Sequence, residues 1–175
     1  MLRLIFLLLL VIPGPANAGP GGEAGRYVET DDYISSAFPA GSPAARMLWI
    51  SGELRDAVER VLGHRFAALR VRYWHEGARS VWILDEIGKE LPITIGVTVA
   101  DGAIDNVRVL EFRESRGWEV RYPFFTDQFV DAKLENNGHL DRRIDGITGA
   151  TLSVAAVTRI ARVALLLDGN IKSPG

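Results

Sequence analysis

Three hydroxyls and two bare backbone positions stand together late in the chain, in Asp145-Gly146-Ile147-Thr148-Gly149-Ala150-Thr151-Leu152-Ser153. Gly149 and Ala150 leave the main chain open to another molecule, and Thr148, Thr151 and Ser153 supply the hydroxyls. The segment runs into a stretch where Val154, Val157, Ile160, Ala161, Ala164 and Leu167 recur at helical spacing. The first N–H groups of a helix lack partners within it and carry partial positive charge, so a phosphate is favoured there. The segment is neither a Walker loop, since Gly-Lys-Ser/Thr is missing, nor a G-x-G-x-x-G turn. An ordinary helix-capping turn uses the same residue types, so the residues alone leave both readings open.

Other chemistries are poorly supplied. The chain has no cysteine, which removes disulfides, thiolate metal sites, iron–sulfur clusters and C-x-x-C-H heme attachment. His64, His75 and His139 are scattered without carboxylates at ligand spacing, so no metal site is expected. No G-x-S-x-G supports a catalytic serine, and no residue stands out as catalytic. The formal net charge of −2, with both signs mixed, lacks the basic footprint of a nucleic-acid binder. Arg65, Arg70, Arg72 and Arg79 cluster locally, as expected of a solvated strand face.

The elements that must position the site follow from pattern. Residues 1–18 read as a secretory signal peptide: Arg3, the apolar run Leu4 to Ile12, a Pro-Gly-Pro break, then Ala16-Asn17-Ala18 for cleavage. Residues 19–45, rich in Gly, Pro, Ala and Ser, read as a linker or extended arm that Tyr27, Tyr33, Ile34 and Phe38 could pin to the domain. Residues 46–175 are expected to form a single domain. Ser51 is a candidate N-cap, Leu54, Val58, Val61 and Leu62 form one helical stripe, and Gly63 is the stop. Leu69 to Trp74 and Ser80 to Leu84 form a strand pair around the turn His75 to Ala78. A second hairpin turns at Asp101-Gly102 between residues 93–100 and 104–112. Its first strand puts Ile93, Ile95, Val97 and Val99 on one face and small Thr94, Gly96, Thr98 and Ala100 on the other. That second face admits either a flat ring or a packed helix. A short helix capped by Thr126 is expected next, with a staple between Phe125 and Val130. A turn at Asn136-Asn137-Gly138, a last strand over Leu140 to Ile144, and a final helix from Ser153 to Leu167 ended by Asp168-Gly169-Asn170 complete the chain. This order gives an α+β class: an antiparallel sheet of two hairpins flanked by helices.

Asp145-x-x-Thr148-Gly149-Ala150-Thr151 resembles the flavinylation motif of the FMN-binding domain family, which includes exported FMN subunits of the Rnf and sodium-translocating quinone reductase complexes. The hairpin around Asp101-Gly102, Glu114-Ser115-Arg116-Gly117, and Phe125 with Phe129 are similar to family features, so the resemblance covers about residues 90–167. It implies that FMN is joined through its phosphate to Thr151 by an ApbE-type flavin transferase using FAD. Asp145, Thr148, Gly149 and Ala150 are then recognition positions, with Ser153 beside them. Lys89 is either a solvated turn lysine or a cation beside the flavin. Glu114, with Ser115 next to it, is either a capping carboxylate or a hydrogen-bond partner of the cofactor. Trp82, Trp118 and Phe125 are candidates for stacking on the flavin ring. The resemblance implies an exported electron carrier, periplasmic and free of membrane spans after cleavage, working between a membrane-bound or periplasmic donor and acceptor. An FMN-dependent reductase of a small molecule or ferric complex is the alternative. A non-redox interaction module that keeps the fold is a further one.

Overall fold

Asp101 and Gly102 both adopt positive φ, 53° and 76°, and fold a long hairpin in the sheet. In the computed structural model, which describes residues 24–172, this hairpin joins β5 (Pro92–Ala100) to β6 (Ala103–Phe112). The expected signal peptide lies outside the described residues. A second hairpin joins β3 (Arg70–Glu76) to β4 (Arg79–Ile87), and β4 pairs with β5 along its whole length. Two strands that the pattern does not announce extend the sheet. β1 (Gly25–Arg26) pairs with β6, and β2 (Arg46–Trp49) pairs with β3. All six strands run antiparallel in the order β1-β6-β5-β4-β3-β2. The α+β class with flanking helices is therefore the observed one.

Alternation along β5 divides the sheet into two faces. Ile93, Ile95, Val97 and Val99 are fully buried on one, beneath α2 (Gly52–Leu62) and α4 (Thr151–Lys172). α2 begins after Ser51, which makes no side-chain capping bond, and stops at Gly63 with φ 79°. On the other face a flat ring does approach the small residues, and it belongs to the chain itself. Tyr33, on α1 (Thr30–Ala37), lies so close to Gly96 that an added Cβ would sit 2.5 Å from its Cε1. Its hydroxyl hydrogen-bonds Thr98 Oγ1 at 3.0 Å. Tyr33, Ile34, Ala37 and Phe38 pack with Val81 and Leu110 in a second, smaller core. A helix thus stands where Gly- and Pro-rich composition suggested an arm, because its four apolar side chains have a prepared sheet face to cover.

Three local expectations are corrected. Thr126 ends the short helix α3 (Pro123–Thr126), and although a 3-10 turn over Asp127–Phe129 follows, its side chain makes no capping bond to it. Pro123, with its φ preset, opens that helix after Tyr122, and Phe125 packs edge-on against Phe129, not in a staple. Leu140 to Ile144 is not a strand, since only one bridge, Leu134 to Leu140, forms there. The Asp141 N–H reaches the Lys133 carbonyl, but the Lys133 N–H goes to the Asp141 side chain, and the segment beyond is held by Gln128 Oε1, which accepts from the Asp145 N–H. Finally, α4 does not stop at Asp168-Gly169-Asn170. The Asp168 carboxylate is buried, accepting from Ser80 Oγ at 2.7 Å and from Lys172 Nζ at 2.9 Å, which ties an extra turn to the sheet.

Candidate functional site

A cleft of about 600 Å³ opens at the N-terminus of α4, lined by residues 149–153, by Glu114, Ser115 and Arg116 after β6, and by Lys89. Three elements meet because each ends at the same end of the sheet. β4 and β5 are joined there by the turn 88–91, β6 runs out into residues 113–117, and α4 begins there.

Glu114 builds the wall. It is 6% exposed, and its Oε1 accepts the backbone N–H groups of Lys89, Glu90 and Leu91 at 2.5, 2.6 and 2.9 Å. Burial alone pushes its pKa up, but those three bonds, from Leu91, Glu90 and Lys89, together with the Lys89 charge, outweigh burial and hold it below the ordinary value. Of the two roles open to Glu114, the structure shows the capping one: it organises the turn that carries Lys89. The Lys89 ammonium, 70% exposed at the rim, pairs with Glu90 at 3.1 Å. Arg116 joins the rim and makes no ion pair or hydrogen bond among the described residues. Sequence reasoning gave it no role, because an arginine after a strand carries no spacing signal of its own.

The other wall is the opening of α4. Gly149 turns with φ 84°, Ala150 is buried, and its carbonyl accepts from the Val154 N–H at 2.9 Å, so Ala150 is the last residue before the helix. Thr151 is the first helical residue and is exposed to the cleft. Ser153 is buried against Gly117, where a Cβ would overlap its Oγ, so its hydroxyl serves packing as well as the cleft wall. α4 has no acidic residue in its own first turn to offset its positive end.

Not every expected residue converges here. Thr148 is exposed beside the turn but does not line the cleft, and Asp145 lies outside it, 82% exposed and 3.8 Å from Arg143. Trp82 and Phe125 are fully buried and cannot stack on a bound ring. Trp82 is held by Tyr73, stacked at 4.9 Å, and by Ser80 Oγ at 2.8 Å. Trp118 stays half-buried beside Tyr122. Among the described residues no group of His, Asp and Glu could hold a metal ion.

A long helix with no acidic residue in its first turn, a left-handed glycine before it and two cations across the cleft suit a phosphate ester. Residues 88–166 match the family described as FMN-binding domain. The chain carries an FMN-binding domain. Its matched span starts at the turn that Glu114 holds and ends within α4, so it contains every residue lining the cleft. α1, α2 and strands β1 to β4 lie outside that span and complete the sheet and its covers. No curated protein and no solved structure matches the chain significantly.

Proposed function

We propose that this protein is an exported electron carrier whose FMN is joined by its phosphate to Thr151. The observation that carries the reading is the exposed Thr151 hydroxyl at the first residue of a 22-residue helix, facing Lys89 and Arg116 across a cleft inside the FMN-binding domain. The N–H groups of Thr151, Leu152 and Ser153 would bind phosphate oxygens, and the two cations would balance the diester's charge. In the attachment by an ApbE-type flavin transferase, Thr151 Oγ1 loses its proton and bonds to phosphorus. The phosphoanhydride of the FAD donor breaks and AMP leaves, so no electrons change hands. The flavin supplies one- and two-electron redox chemistry, and the protein supplies placement and electrostatics. Attachment through the phosphate leaves the ring end free to meet a membrane-bound or periplasmic donor and acceptor. Covalent attachment suits an exported carrier, since cofactor lost outside the cytoplasm is not readily replaced. No helix among the described residues is long and apolar enough to cross a membrane.

Co-expression with an ApbE-type transferase tests this. The denatured protein should keep flavin fluorescence, and its mass should rise by one FMN less one water. Thr151→Ala should lose both signals while Ser153→Ala keeps them. Flavin that survives denaturation in Thr151→Ala would place the attachment elsewhere. Steady turnover of a small oxidant by the reduced, purified protein would favour a reductase over a carrier.

A further inference from the structure

The β3–β4 hairpin is paired only near its turn. Its ladder runs from Glu76–Arg79 to Tyr73–Trp82 and then stops, although β4 continues to Ile87 and the chain before β3 continues to Ala68. Continued in register, Arg72 would meet Ile83, Arg70 would meet Asp85, and Ala68 would meet Ile87. Instead a split of about 490 Å³ lies between the two strands.

Two arginines hold it open. Arg55 of α2 takes the Phe66 and Ala68 carbonyls at 2.6 and 3.0 Å. Arg159 of α4 reaches the Ile87 carbonyl at 3.5 Å and the buried Glu86 carboxylate at 2.8 Å. The carbonyls that would close the last rung are thus drawn to different helices.

The turn fixes which backbone groups face the split. Gly77 and Ala78 make a two-residue loop, so Glu76 and Arg79 form a hydrogen-bonded pair, and such pairs alternate along an antiparallel ladder. By that alternation Arg70 and Arg72 on one side, and Ile83 and Asp85 on the other, aim N–H and C=O into the gap. A sheet edge of this kind is completed by another strand.

We propose that the split takes an extended peptide of a partner protein, added as a strand, with apolar and acidic residues alternating. The alternation follows from the walls. Val71 and Leu84 lie toward the helix-covered face and favour apolar side chains there. Toward the open face stand Arg70 and Arg72, with Arg65 at the rim, and none of the three forms an ion pair among the described residues. Among the residues lining the split, the carboxylate on that face is Asp85, which accepts from Thr94 Oγ1. Three guanidiniums against one carboxylate select an acidic strand. Trp49 and Leu69, 63% and 68% exposed, extend the apolar border beyond the split. The turn 88–91 separates the split from the Thr151 cleft, with Ile87 and Pro92 on one side and Lys89 on the other.

The test uses the full chain and a capped hexapeptide alternating valine and glutamate. In the free protein the Arg70, Arg72, Ile83 and Asp85 amides should exchange with solvent readily. The peptide should slow them by about tenfold or more, with a matching dissociation constant from titration. Replacing glutamate by lysine in the peptide, or N-methylating alternate amides, should remove the effect. The double variant Arg70→Glu with Arg72→Glu should weaken glutamate-peptide binding about tenfold and admit the lysine peptide. These amides being protected in the free chain would overturn the proposal. So would equal binding of the lysine or N-methylated peptide, or association with anionic phospholipid vesicles but not with the peptide. None of these readouts depends on what Thr151 carries.

Discussion

Thr151 and Glu114 have opposite relations to the cleft. Thr151 is exposed and precedes no capping bond, since Ala150 holds the position before the helix. Its loss to alanine should therefore change stability by no more than ~0.5 kcal/mol while removing the proposed attachment oxygen, which thermal unfolding and in-gel fluorescence report together. Glu114 is buried and holds three N–H donors. Glu114→Ala would strand them and should cost about 1–3 kcal/mol in denaturant unfolding. It should also reduce flavin loading by releasing Lys89, whereas Glu114→Gln, which keeps an acceptor oxygen, should lose less of both. Because the Glu114 pKa is lowered on folding, its contribution is present above the ordinary carboxylate range and lost as pH falls through the lowered value. Acid unfolding should accordingly be less steep in Glu114→Gln than in the parent.

The elements that carry these residues are held by close approaches that a single methyl would spoil. Gly96→Ala drives a Cβ into the Tyr33 ring and should cost about 1–3 kcal/mol by overpacking, with α1 amides losing exchange protection before those of α4. Gly117→Ala faces both the Ser153 hydroxyl and a φ of 86°, so it should disturb the opening of α4 and lower flavin loading. The end of α2 carries a titrating contact. The His64 ring contacts the Arg65 carbonyl at 3.0 Å and the Glu86 carboxylate at 2.9 Å, and in that order these raise its pKa. A raised histidine stabilises the fold fully below its unfolded value near ~6.5, and loses that contribution as pH rises through the folded value. With the ring half exposed the effect should be small, and His64→Gln should flatten the fall in stability as pH rises above ~6.5 in chemical unfolding.

At the scale of the whole molecule the protein is a sheet with a different cover on each face and a cleft at one end. Deleting residues 24–38 should bare Val81 and Leu110, raise dye binding to exposed apolar surface and lower the melting temperature, while the α4 cleft keeps its walls. Much of this was legible in residue order. The Asp101-Gly102 turn, the stripe of α2 ended by Gly63, and the Gly149-Ala150-Thr151 entry to α4 are local features, set by backbone freedom and periodicity within a few residues. The sequence by itself determined those elements and the α+β class. Tertiary structure alone decided what depends on residues far apart in the chain. It made a helix of residues 30–37, because a face of small side chains on β5 waited for Tyr33. It placed Arg116 in the cleft and left Asp145 outside it. It buried Trp82 and Phe125 beyond reach of a flavin, since a ring's partners are fixed by packing and not by its type. It also opened the hairpin between β3 and β4, where Arg55 and Arg159 draw the closing carbonyls toward two helices and no local pattern records the pull.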